Sequence, residues 1–202
     1  MKHFFLFIMI FGVVSTHAAL PRHIKSKAAA VQIGAESRYQ IQKDIAFSKK
    51  ESMQNRWKAV IAMSEMKGVQ SVVDLKRLAR MDEWFLKNAA LIALNKVSST
   101  EAQDMAKNLI LDKALVVRSM AVEILKEKNS SEIRNIFWKE LEKPYNFRGK
   151  NSLWIRKQIL SALAQKPNHQ EEEQFSRYLN DRDSEVTQIA YRAYSENFKS
   201  RE

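Results

Sequence analysis

A five-residue apolar pattern recurs along this chain at a nearly constant interval, and that recurrence limits what the chain can fold into. Aligned on one shared position, the units centre on Ala59, Ala90, Ala121, Ile159 and Ala190. Three of the four intervals are 31 residues and the other is 38. Offsets 0, 3, 4, 7 and 8 of the second unit hold Leu86, Ala89, Ala90, Ala93 and Leu94, and those of the third hold Val117, Met120, Ala121, Ile124 and Leu125. The fourth carries Ile155, Gln158, Ile159, Ala162 and Leu163, and the fifth Val186, Ile189, Ala190, Ala193 and Tyr194. These offsets form one apolar stripe on an α-helix. The first unit is weaker, with Asn55 and Lys58 ahead of Ala59, as expected of an end unit that faces water. The period predicts an all-α chain, an α-solenoid (α-α superhelix) of about five antiparallel helix pairs.

Second amphipathic stretches alternate with the first, at about 69–80, 101–111, 132–142 and 171–179. Thr100 with Gln103 fits a capping box, Ser130 and Asn168 precede two further stretches, and Asp82, Asp112, Asn151 and Asp181 stand ahead of the repeat-defining helices as expected caps. The run Asp112-Lys-Ala-Leu-Val-Val-Arg118-Ser-Met-Ala121-Val-Glu-Ile-Leu125 resembles a HEAT repeat, in particular the short HEAT-like type named from phycobilisome lyases. Asp181-Arg-Asp-Ser-Glu-Val186-Thr-Gln-Ile-Ala190 repeats it less closely. The resemblance covers about 51–198 and implies stacked helix pairs; it implies no particular activity.

Residues 1–19 read as a signal peptide: Lys2, an apolar run over 4–14, then small residues that permit cleavage after Ala18 or Ala19. An uncleaved membrane anchor is the alternative, although eleven residues fall short of the roughly 20 that span a bilayer. Residues 20–50 read as an N-terminal segment, helical rather than extended, that caps the first repeat. Residues 51–202 form the repeat domain. There is no cysteine, which excludes disulfides and thiolate sites and suits a bacterial periplasm better than a disulfide-dependent setting. The net charge is +11, or +10 without residues 1–19, and such an excess favours acidic partners.

The chain shows no arrangement for catalysis. His23 and His169 lie far from any second ligand at metal-site spacing, the four glycines form no phosphate loop, and no nucleophile elbow is present. Glu171, Glu172 and Glu173 read as acids that complement a helix dipole, and the four tryptophans read as helix-core residues. No catalytic residue, metal or cofactor is expected.

Two features carry the functional expectation. Arg56, Lys87, Arg118 and Arg156 share one repeat position, and Thr187 ends the series. They form either a stripe for an anionic ligand or a ladder in which each bonds the cap of a neighbouring repeat, an arrangement the HEAT resemblance also implies. The 38-residue interval contains an insertion at 143–151. There Tyr145, Phe147, Arg148 and Lys150, followed by Trp154, either dock a partner or fold back onto the chain. The expectation is an exported, monomeric scaffold that binds a protein partner. An acidic polymer (nucleic acid, anionic polysaccharide or lipid headgroups) held on a basic face is the alternative, with nucleic acid disfavoured by export.

Overall fold

Apolar residues three and four apart, with few glycines or prolines among them, leave these segments little alternative to helix. The computed structural model describes residues 22–198, with side chains from Gly34 onward, and is predominantly helical. The signal-peptide expectation falls on 1–19, outside the described residues. In chain order the helices are α1 (Arg22–Phe47), α2 (Met53–Lys67), α3 (Val72–Leu78), α4 (Trp84–Val97), α5 (Ser99–Leu109), α6 (Leu115–Lys126), α7 (Ser131–Leu141), α8 (Trp154–Ala164), α9 (Glu172–Ser176) and α10 (Ser184–Asn197). Single 3-10 turns at Gly68–Ser71 and His169–Glu171 lead into α3 and α9. Among the described residues no helix is long and apolar enough to cross a membrane.

The contacts divide the chain into two units, 1–37 and 38–202. In the first, residues 22–37 are helical. In the second, α2 packs on α4, α4 on α6, α6 on α8 and α8 on α10, while α3, α5, α7 and α9 each pack against the repeat-defining helix that follows. The stripe positions Leu86, Ala90, Leu94, Ala121, Leu125, Ile159 and Leu163 have no exposed surface. Alanine at the centre of every stripe but the fourth, where Ile159 stands, lets adjacent helices approach closely, and larger residues at the stripe ends fill the space beside them. Gln158 takes an apolar place in the fourth stripe yet is satisfied there: its amide nitrogen donates to the Ser119 carbonyl and to Glu123, and its oxygen accepts from the Ser119 hydroxyl. The C-terminal part of α1 is tied down by Tyr39, whose hydroxyl donates to Asp74 at 2.9 Å, and by the Lys43–Asp74 ion pair.

Several expected caps sit elsewhere. The hydroxyl of Ser98, not Thr100, caps α5 by accepting from the Glu101 N–H. Asp82 and Asn151 cap nothing: the helix-start residues are Glu83 and Leu153, and neither makes a side-chain cap. Asp112 and Asp181 act two residues early, each accepting the N–H of the residue that begins the helix turn, Ala114 and Asp183. Ser130 and Asn168 cap as expected, Asn168 with Glu171 completing a capping box.

The insertion folds locally. Pro144–Asn146 form a 3-10 turn, and Phe147–Arg148 pair antiparallel with Asn151–Ser152 as a minimal hairpin, β1 and β2. Gly149 has φ +63°, a conformation a side chain would strain.

Candidate functional site: the edge of helix starts

The four basic residues of the shared position link the start of one helix to the start of the next. Arg56 on α2 donates to Glu83 at the head of α4 (3.2 Å). Lys87 on α4 donates to Asp112 ahead of α6 (2.5 Å), and Arg156 on α8 to Asp181 ahead of α10 (2.8 Å). Arg118 on α6 reaches not a carboxylate but the Tyr145 carbonyl ahead of α8 (3.0 Å). The starts of α2, α4, α6, α8 and α10 therefore lie side by side in register along one edge. Thr187, where the basic series ends, donates through its hydroxyl to the Asp181 carbonyl, as the Arg118 guanidinium donates to the Asp112 carbonyl.

These side chains are committed within the chain. Arg56, Arg118 and Arg156 are 5%, 2% and 1% exposed, and the Lys87 side chain is largely covered. Each arginine also lies over a ring: Arg56 over Phe85 at 5.3 Å, Arg118 over Tyr145 at 4.9 Å, and Arg156 over Phe147 at 4.5 Å. Burial lowers the affinity of Arg118 for its proton. Burial also opposes the charge on Arg156, but bonds to Asp181 and Glu142 outweigh it and raise its pKa. Asp181 is likewise resisted by burial, yet the Arg156 bond, the Asp183 N–H and the nearby Arg182 hold it below the ordinary range.

The five insertion residues separate into two groups. Tyr145 and Phe147 turn toward the ladder. The Tyr145 hydroxyl donates to Glu140 at 2.5 Å, and burial with that bond pushes the phenol up to about 12. Arg148 and Lys150 are exposed on the hairpin, and Trp154, the first residue of α8, is 48% exposed.

Trp154 has counterparts that sequence periodicity alone did not mark. Met53, Trp84 and Val116, at the starts of α2, α4 and α6, are 50%, 47% and 39% exposed. An apolar cavity of about 410 Å³ opens between the first two of these helices, lined by Met53, Trp57, Trp84 and Phe85 with Gln54 and Lys58. Trp138, by contrast, packs inward, edge-on to Phe175 at 5.0 Å. A second missed set lies in the loops: Lys50, Arg80, Lys113, Lys150 and Arg182 each stand just before a helix of the series, exposed and without a salt bridge. Their signal was one cation per repeat, blurred because loop lengths vary.

Glu171 is more than an acid at a helix start. It is 7% exposed and takes two bonds from Arg134, one of 2.6 Å from Nε, together with the Trp138 indole N–H at 2.9 Å and the Asn168 N–H at 2.9 Å. No group of three or more metal-ligating acids and histidines gathers among the described residues. Compared with known proteins, the chain matches no family model and no curated sequence.

Proposed function

We propose that this protein is an exported, non-enzymatic scaffold whose helix pairs stack as a HEAT-like solenoid and hold a partner protein along the edge of helix starts. The observation that carries this reading is the recurrence of Met53, Trp84, Val116 and Trp154. Four consecutive helices of the series each present an exposed apolar side chain on the first turn. The buried Arg/Lys ladder holds those turns in register. Met53 and Trp84 stand three residues before the shared basic position and Val116 and Trp154 two before it, so they form two like-placed pairs. Isolated exposed apolar residues are ordinary on a protein surface, whereas their recurrence on four neighbouring helices is the kind of feature that marks interaction sites. Export rests on the apolar run 4–14 and the small residues after it. The reading in which Arg56, Lys87, Arg118 and Arg156 grip an acidic polymer gains nothing from their burial and internal pairing.

The protein purified from a periplasmic fraction should begin at Ala19 or Leu20 by mass spectrometry. Immobilised and exposed to periplasmic extract, it should retain a specific partner that a Trp84→Ser/Trp154→Ser variant loses. The variant's circular dichroism should be unchanged, because both rings are about half exposed. Equal retention by the two proteins would remove this edge as the docking site.

A further inference from the structure

We propose, building on the scaffold reading, that the occupant of this edge is an acidic segment of the partner protein. It runs extended across the helix starts, with an apolar anchor at about every third residue. Two sets of exposed side chains at the helix starts point to it. One is apolar: Met53, Trp84, Val116 and Trp154. The other is cationic: Lys50, Arg80, Lys113, Lys150 and Arg182, one in each loop that feeds a helix of the series.

The balance of charge decides the sign of the ligand. Most acids of this edge are already used: Glu83 by Arg56, Asp112 by Lys87, Asp181 and Glu142 by Arg156, and Asp183 and Glu185 by Lys157. Glu51, which accepts from Asn55, and the exposed Asp82 remain without an ion pair and are outnumbered by the loop cations. The five loop cations have no such partner, so the face they form is positive and attracts a negatively charged ligand. The apolar set decides the class. A nucleic acid or polysaccharide would use the cations and aromatic stacking platforms, and Met53 and Val116 offer it little. An acidic peptide with apolar side chains uses both sets.

Spacing sets the period. Packed helices lie about 8–10 Å apart, and an extended chain rises about 3.3 Å per residue. Three residues of ligand therefore cover one helix start. The ends of the edge differ. The cavity of Met53, Trp57, Trp84 and Phe85 takes an apolar anchor. At the other end, a cleft of about 430 Å³ between the hairpin and the α9–α10 turn has Glu142 and Asp181 in its lining, both paired with Arg156, and Arg177, paired with Glu173; its unpaired cations, Lys150 and Arg182, take carboxylates. The ligand is thereby given a direction.

Labelled synthetic peptides of about 15 residues, long enough for five helix starts at that rise, test this by fluorescence anisotropy. A Glu-Glu-Leu repeat should bind. A Glu-Glu-Ser repeat and an oligothymidylate of equal charge should bind at least about tenfold more weakly, a difference of about 1.4 kcal/mol. A Lys-Lys-Leu repeat should not bind. Lys113→Glu/Lys150→Glu should weaken the Glu-Glu-Leu peptide by a similar factor with the melting temperature unchanged. Lys128→Glu/Lys166→Glu, at the opposite ends of α6 and α8, should have no effect. Absence of Glu-Glu-Leu binding at about 1 mM, or full binding by the Lys113/Lys150 variant, overturns the proposal. Equal binding of the Glu-Glu-Ser peptide or the oligonucleotide overturns it in favour of a general polyanion surface. If the peptides fail while Trp84→Ser/Trp154→Ser still loses the extract partner, the scaffold reading stands and only the acidic occupant falls.

Discussion

Glu171 is held by donors of three residues from two segments: Arg134 on α7, Trp138 one turn further along α7, and the Asn168 backbone N–H at the mouth of α9. Arg134 in turn donates to the Asn129 side chain at 2.6 Å and to the Leu163 carbonyl at 3.0 Å, so one guanidinium joins the end of α6, the end of α8 and the start of the next pair. Removing one partner of such a buried pair leaves the other charge uncompensated, at a cost of about 3 kcal/mol. Glu171→Ala should therefore lower the melting temperature by about 6–12 °C at this chain length. The pH dependence has a definite sign. Burial alone would raise the carboxyl, but the bonds from Arg134, Trp138 and Asn168 outweigh it and hold the folded pKa below the ordinary 4.5. The stabilisation is complete above the unfolded value and is lost as pH falls through the lower folded value. Wild-type melting temperature should decline as pH falls below about 4.5, and Glu171→Gln should flatten that decline. Identical slopes would show that the carboxylate does not govern acid stability. None of this was legible in the sequence. Three adjacent glutamates at a helix start look alike, and what singles out Glu171 is an arginine 37 residues away.

The hairpin insertion replaces a missing acid. Where the third and fifth units place Asp112 and Asp181 against the basic residue of the preceding unit, the insertion presents the Tyr145 carbonyl and ring to Arg118. Phe147 covers Arg156 in the same way. The 38-residue interval, Pro144 and Gly149 announced an irregular turn. They could not announce which side chains lie against the ladder, because that depends on guanidinium groups brought close only by folding. Cation–ring contacts contribute about 0.5–2 kcal/mol each, more when desolvated. Tyr145→Ser/Phe147→Ser should lower the melting temperature by several degrees, whereas Arg148→Ser, on the exposed tip, should leave it unchanged. Differential scanning calorimetry of the two proteins decides this. Unchanged stability in the double variant would mean that the rings do not support the ladder.

Across the whole repeat region, periodicity made the helices and their buried stripes legible, because an apolar stripe has almost one solution once the period is known. It found the basic column too, since that column keeps strict register inside the helices. The exposed cations were hidden because they sit in loops, where register drifts between Lys50, Arg80, Lys113, Lys150 and Arg182. The ladder also shapes how the molecule opens. Each link joins a helix only to its neighbour, so loss of a link should be felt locally, as in arrays whose stability is a sum of nearest-neighbour terms. Asp181→Asn removes the last link, beyond which only α9 and α10 remain. Its faster amide exchange, by about tenfold for each 1.4 kcal/mol lost, should be confined to residues 172–197. Asp112→Asn sits between α4 and α6, with helix pairs on both sides, and should accelerate exchange in both directions from the break. Hydrogen exchange followed by mass spectrometry separates the two patterns. Uniform acceleration along the chain in both variants would mean that the helices open as a single cooperative block, and that the ladder orders the edge without partitioning its stability.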